Sequence, residues 1–102
     1  MFDYTGWIVQ ATAGRDKGGV FCVVGMDRDQ VRLLLADGKR RRAARPKAKK
    51  LGHVRPLTGG RCTFDHPAIG KLKQGQPVSD RELRRALAAF KEGVSLGERR
   101  YD

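Results

Sequence analysis

Residues 12–25 read TAGRDKGGVFCVVG, and this stretch decides the fold. Two glycines, Gly14 and Gly18, enclose three charged residues, and a nearly continuous run of apolar residues follows. Such a run is typical of a strand that is covered on both faces. Because glycine readily adopts the positive φ angles of tight turns, we expect a β-hairpin whose tip presents Arg15 and Lys17 to solvent.

A loop of this kind could instead cradle the phosphates of a nucleotide. A P-loop requires the pattern GxxxxGK[ST] with a helix behind it. Here the spacing from Gly14 to Gly18 is one residue too short, no Lys-Ser or Lys-Thr pair follows, and the next segment is a strand. The pattern therefore argues against a nucleotide site. We expect Asp16, in the middle of the loop, to accept hydrogen bonds from the loop amides.

The rest of the first half also predicts β-structure. Residues 6–12 and 31–36 have the composition of strands, and residues 27–30 (DRDQ) predict a turn before the second of them. Asp37 followed by Gly38 is a strong signal for a two-residue hairpin turn. Strands at this spacing, with no helix between them, predict a small antiparallel barrel.

The pattern changes after this hairpin signal. Residues 39–44 (KRRRAA) have no apolar face, so we expect a surface strand there. Arg45 precedes proline, which favours extended chain, and residues 46–50 (PKAKK) are expected to continue as a solvated basic arm. Residues 55–78 hold many Gly and Pro, with apolar residues at no regular period, and this composition predicts irregular chain.

A helix is predicted over residues 79–93. Ser79 and Glu82 have the spacing of a capping box, and Gly93 is a natural place for the helix to end. Its apolar stripe is expected to dock on the barrel or on a neighbouring protein, and consists of Leu83, Leu87 and Phe90.

Positive charge is concentrated in one part of the chain. The formal net charge is +11, and residues 39–62 contain ten Lys or Arg and no Asp or Glu. Cations packed this closely repel one another unless a polyanion neutralises them. The segment therefore predicts nucleic-acid binding, with a solvated charged face as the alternative. Charge alone does not separate RNA from DNA.

Other classes of function have little support in the sequence. Apolar runs are far shorter than the ~20 residues of a membrane span, and the N-terminus lacks the pattern of a signal peptide. Cys22 and Cys62 are too few for a disulfide framework, so we expect free thiols in the cytoplasm. There is no CxxC motif and no nucleophile–base pair, so no enzyme, metal, cofactor or small-molecule substrate is expected.

The glycine loop and the basic run together resemble a known family. Residues 13–18 (AGRDKG), with apolar chain on both sides, look like the KOW motif of several ribosomal proteins and transcription elongation factors. Residues 37–39 (DGK), the basic run and His53 extend the likeness to small bacterial KOW-domain RNA-binding proteins. These are similar to KOW-containing large-subunit ribosomal proteins of archaea and eukaryotes. The resemblance covers residues 6–54 and extends more weakly to the predicted helix at residues 78–90 (VSDRELRRALAAF).

The resemblance implies a mainly β fold. An SH3-like (KOW) antiparallel barrel is expected over residues 1–54, with the basic arm at 39–50. An irregular extension over 55–78, packed on or beside the barrel, and one C-terminal α-helix over 79–93 would follow. One departure is Gly-Gly at 18–19, where many KOW sequences have Gly-x-x-Gly, and it shortens the loop.

The resemblance also implies an RNA-binding protein that is ribosomal or ribosome-associated and contacts structured rRNA, with the large subunit favoured. The alternatives are a transcription-associated KOW module, which would bind polymerase or nascent RNA, and an SH3-like protein-binding module. The structural turn residues are expected to be Gly14, Gly18, Asp37 and Gly38. The residues expected to face RNA are Arg15, Lys17, Lys39, Arg40, Arg41, Arg42, Arg45, Lys47, Lys49, Lys50, His53, Arg55 and Arg61.

Overall fold

The computed structural model describes residues 2–59 and 64–100, the last seven of them by their backbone alone. Within these ranges the chain forms five strands, one 3-10 helix and two α-helices. They are β1 (Ile8–Ala11), β2 (Val20–Met26), β3 (Arg32–Ala36), β4 (Lys47–Lys50), a 3-10 helix (Leu51–His53), β5 (Val54–Pro56), α1 (Pro67–Lys73) and α2 (Asp80–Arg100).

The strands form one antiparallel sheet in the order β4-β3-β2-β1-β5. Its outer strands are consecutive in sequence and are joined only by the 3-10 helix. A flat five-stranded sheet would hold its outer strands about 19 Å apart, whereas three residues of 3-10 helix rise only about 6 Å. The sheet must therefore curve until its edges approach. No ladder joins β4 to β5 in the described residues, so the predicted barrel is present as a barrel-like sheet that is not closed.

Both faces of the sheet are buried, as the apolar run in β2 predicted. Val9, Phe21 and Val23 lie in a cluster on one face, which also contains Leu33 and Leu35. The neighbouring residues along the strands point the other way. On the outer face, Cys22 of β2 lies opposite Ile8 of β1 on one side and Ala36 of β3 on the other, and all three residues belong to a second buried cluster.

The two helices cover this outer face. The α2 stripe of Leu83, Leu87 and Phe90 is buried there, so it docks on the chain's own sheet and is not available to a neighbouring protein. Ile69 and Leu72 of α1 complete the cluster. The expectation of irregular chain throughout 55–78 is therefore wrong at α1, which contributes to a second apolar cluster.

The start of α2 is as predicted and its end is not. The Glu82 amide donates to Ser79 Oγ at 3.1 Å, and the Ser79 amide donates to Glu82 Oε1 at 3.3 Å, which is a capping box. The helix continues through Gly93 to Arg100. A glycine inside a helix costs only about 1 kcal/mol relative to alanine, which is too little to end the helix by itself. None of the described helices is long and apolar enough to cross a membrane.

The connection between β3 and β4 differs most from expectation. The predicted two-residue turn at Asp37 and Gly38 is instead the start of a loop that spans residues 37–46. Gly38 does have the predicted positive φ, at 77°. The predicted strand at 39–44 lies inside this loop, and the predicted solvated arm supplies strand β4. The cause is that two residues distant in sequence, Asp80 and Arg84, hold the loop in this conformation through hydrogen bonds.

Candidate nucleic-acid interface

The glycine loop, residues 12–18, forms the tip of the β1–β2 hairpin. The amide of Gly18 donates to the carbonyl of Ala11 at 2.8 Å and closes the hairpin. Gly14 has φ of 80° and Gly18 has φ of 89°, so both occupy the left-handed region that the sequence predicted. Arg15 and Lys17 between them are exposed, also as predicted. The loop therefore places two cations at the surface on a short and well-defined turn.

Asp16 does not cap the loop amides as expected. Its side chain is only 9% exposed, and its Oδ2 lies 3.0 Å from Nη2 of Arg41 and 4.0 Å from Nζ of Lys49. Lys49 is itself buried, with 8% of its side chain exposed, so it is not available to a ligand at the surface. Arg41 is about one-third exposed. Asp16 thus removes one predicted RNA contact, weakens a second, and ties the glycine loop to the neighbouring basic segment.

The basic loop, residues 37–46, is held by three side chains. Oδ1 of Asp37 accepts hydrogen bonds from the amides of Lys39 and Arg41, each at 2.9 Å. Asp80, the first residue of α2, accepts from the amide of Ala43 at 2.7 Å. Arg84, one turn further along α2, donates to the carbonyl of Gly38 at 2.6 Å. These contacts make the segment a folded loop and not a free arm.

The two carboxylates that hold this loop, Asp37 and Asp80, bond to backbone amides, so the loop's cations other than Arg41 stay free. Among the described side chains, no carboxylate lies within 4.0 Å of the exposed cations of the basic loop and of strand β4. A row of free, exposed positive charge is what a polyanion needs. The predicted contacts that lie in this row are Lys39, Arg40, Arg42, Arg45, Lys47 and Lys50.

His53 and Arg55 continue the basic surface beside the glycine loop. Both are exposed. The carbonyl of His53 accepts from the amide of Thr12 at 2.9 Å, and Nη2 of Arg55 donates to Oε1 of Gln10 at 2.7 Å. The predicted contact Arg61 lies outside the described residues.

Asp80 and Arg84 are functional candidates that sequence reasoning missed. Neither residue is among the contacts predicted from the sequence. Their contacts with the basic loop span 37 and 46 residues of sequence. No local pattern could have shown them.

The one thiol among the described residues has no role at this surface. Burial raises the pKa of Cys22 to about 12, and the nearby charge of Asp37 adds to the shift. Cys22 is therefore protonated at neutral pH and packs as a small apolar side chain. In the described part of the chain, no group of three or more His, Cys, Asp or Glu residues is placed to hold a metal ion.

Comparison of the chain with models of known protein families found no match, and comparison with curated proteins found none either. The site itself is therefore the basis for inferring the function. What the site can do chemically is to bind anions, through cations presented by the glycine loop, the basic loop and strand β4.

Proposed function

We propose that this chain is an RNA-binding protein with an SH3-like KOW domain, ribosomal or ribosome-associated, that contacts structured rRNA of the large subunit. The observation that carries the proposal is the basic loop, in which every cation except Arg41 is exposed and without a carboxylate partner among the described side chains, while the backbone is held in place. Phosphate contacts of this kind supply most of the affinity for nucleic acid. Contacts to phosphates and 2′-hydroxyls would position the protein on folded RNA.

The anchored backbone favours a folded RNA surface over a disordered polyanion. Ordering one residue costs about 1–2 kcal/mol, and the backbone of the basic loop is already held at residues 38, 39, 41 and 43 by Asp37, Asp80 and Arg84. A loop that is ordered before it binds keeps its cations at fixed positions. A fixed array of cations suits a ligand whose phosphates are also fixed.

The fold supports the resemblance to KOW domains. The glycine loop joins the first two strands of an antiparallel five-stranded sheet, and a 3-10 helix joins the last two strands. Arg15 and Lys17 lie at the exposed tip of that loop, where the KOW motif has its RNA-facing cations. The basic loop lies against the same hairpin through the contact between Arg41 and Asp16.

The proposal is tested by sedimentation with ribosomal subunits and by filter binding to purified large-subunit rRNA over a range of salt concentrations. We expect the protein to sediment with the large subunit. If 6–10 phosphates are contacted, affinity for rRNA should fall about 10³- to 10⁵-fold between 50 and 200 mM salt. A flat salt dependence would overturn the proposal and favour an SH3-like protein-binding module. Capture of polymerase subunits that survives ribonuclease treatment would favour the transcription-associated alternative.

A further inference from the structure

A pocket of about 600 Å³ lies between the basic loop and the first turn of α2. It is lined by Gly38, Lys39, Arg42, Asp80 and Arg84. Three of these side chains are cations and one is a carboxylate, so the pocket carries an excess of positive charge. It lies on the side of the basic loop that faces α2, whereas Arg41 reaches toward the glycine loop.

The charged side chains around the pocket differ in the hydrogen bonds that they already make within the protein. Oδ1 of Asp80 is engaged by the amide of Ala43. Nη1 of Arg84 donates to the carbonyl of Gly38, which fixes the guanidinium at the wall. A guanidinium has five N–H donors, so most of those of Arg84 remain for a ligand. Among the described residues, Arg42 has neither an ion pair nor a side-chain hydrogen bond.

Gly38 makes this arrangement possible. Its φ is 77°, and a Cβ atom added there would overlap the backbone carbonyl of Asp80 and press on the side chain of Arg84. The loop and the helix therefore approach each other more closely than any residue with a side chain would allow. This close approach brings Arg84 to the loop that carries Arg42.

We infer that this pocket is a phosphate-binding site of the protein, in which Arg42 and Arg84 together hold one phosphodiester group of the RNA backbone. The inference rests on the proposed function and adds α2 to the RNA-binding surface. Arginine forks bind phosphate oxygens bidentately, and two forks from different elements fix the position of the group. Lys39 contributes a point charge at the same pocket. Asp80 positions the loop and does not bind the ligand.

The test compares three single substitutions in filter binding to purified large-subunit rRNA across a salt series. Arg42→Ala and Arg84→Ala should each weaken binding about tenfold near 150 mM salt. Each should also lower the slope of log affinity against log salt by about one. Arg85→Ala is the matched control, because Arg85 is exposed on the same helix but does not line the pocket. It should leave both quantities near those of the wild-type protein.

Two further variants separate the site from a structural role of Arg84. Arg84→Lys keeps the charge and loses the fork, so it should recover the salt slope but only part of the affinity. The double variant Arg42→Ala/Arg84→Ala should weaken binding less than the product of the two single effects, because both side chains hold one group.

The outcomes distinguish this inference from the proposed function. Equal losses in Arg84→Ala and Arg85→Ala, or no loss in Arg42→Ala, would overturn the pocket while RNA binding by the protein stands. Absence of rRNA binding by the wild-type protein would overturn the proposed function itself.

Discussion

Strand β3 is flanked by two loops with opposite arrangements of charged side chains: carboxylates of the first pair with a nearby arginine, and most cations of the second have no carboxylate partner among the described side chains. The β2–β3 turn, residues 27–31, is self-contained. Asp29 accepts from the amide of Val31 at 2.9 Å and pairs with Nε of Arg32 at 3.0 Å, and Asp27 pairs with the same guanidinium at 3.2 Å. The backbone hydrogen bond from Val31 is the main reason that the pKa of Asp29 is lowered. Each of these contacts joins residues no more than five positions apart in the sequence.

The basic loop follows the opposite arrangement. Its own Asp37 bonds to amides, its Arg41 pairs with a carboxylate 25 residues away, and Asp80 holds its backbone from α2. The acids stabilise the loop's conformation without neutralising most of its cations. A basic segment therefore need not be disordered to keep its charge free. It is enough that the acids supporting it bind backbone amides.

Removing cations from the two loops should affect rRNA binding very differently. Arg40→Ala in the basic loop should weaken rRNA binding about tenfold, because a charge-assisted contact to phosphate is worth about 1.5 kcal/mol. Arg28 in the β2–β3 turn is also exposed, but Arg28→Ala should change the affinity less than about twofold, because Asp27 and Asp29 repel phosphate there. Filter binding at fixed salt measures both.

Combining Lys39→Ala, Arg40→Ala and Arg42→Ala should lower affinity about 10²- to 10³-fold and the salt slope by about three. Similar losses for Arg28→Ala and Arg40→Ala would show that the positive charge acts diffusely, and the contrast between the two loops would lose its functional meaning.

The next effect concerns the carboxylates. Asp16→Asn leaves Lys49 buried without a counter-charge, and breaking a buried ion pair in this way costs about 3 kcal/mol. Asp29→Asn removes an exposed, solvent-screened pair with Arg32 and should lower the free energy of unfolding far less. Urea unfolding of each variant gives the free energy of unfolding. Equal losses in the two variants would mean that Asp16 is not a structural tie between the glycine loop and the basic loop.

The sequence predicted the parts of the molecule whose causes are local. Strands β1, β2 and β3, the glycine hairpin and the α2 capping box each depend on residues within a few positions of one another. The turn at 27–30 is of the same kind. A capping box is visible in sequence because Ser79 and Glu82 lie three residues apart. The continuous apolar run predicted a strand buried on both faces, and Phe21 and Cys22 indeed enter different clusters.

The parts that could not be predicted depend on distant residues. Pro67 at the first position of α1 suits a helix start, but the helix is only seven residues long and contains Gly70, and its stability comes from burial of Ile69 and Leu72 against the sheet. A count of charges over 39–62 finds no acid there, yet Asp16 reaches Lys49 from the glycine loop. The exposed cations of the candidate site were predicted from composition alone. The contacts that order them were not.

A smaller effect tests the close approach of the basic loop to α2. Gly38→Ala should cost about 2 kcal/mol or more, because a side chain at positive φ is strained and its Cβ would overlap the backbone of Asp80. Gly18→Ala has the same backbone strain but open space around the new Cβ, and should cost about 1 kcal/mol. Thermal or urea unfolding ranks the two. If Gly18→Ala proved as costly as Gly38→Ala, packing of α2 against the loop would contribute nothing.

The smallest effect concerns the capping box at the start of α2, on which the basic loop depends. Ser79→Ala should lower the free energy of unfolding by about 1 kcal/mol. Amide hydrogen exchange sharpens the test, because the amide of Ala43 is held by Asp80 in that first turn. This amide should exchange faster in Ser79→Ala, while the amide of Val31, held within the β2–β3 turn by Asp29, should not change.

Low pH should weaken the capping box between Ser79 and Glu82. The hydrogen bonds from Lys71 and from the amide of Ser79 hold the pKa of Glu82 below its usual value of 4.5. A carboxylate whose pKa is lowered in the folded state stabilises the protein above its unfolded pKa, and that contribution is lost as pH falls through the lowered value. Glu82→Gln should therefore show a smaller loss of stability between neutral pH and about pH 3 than the wild-type protein. In the separate exchange experiment on Ser79→Ala, faster exchange at the amide of Val31 as well as at that of Ala43 would show that the start of α2 stabilises both loops. The difference between the two loops would then not arise from α2.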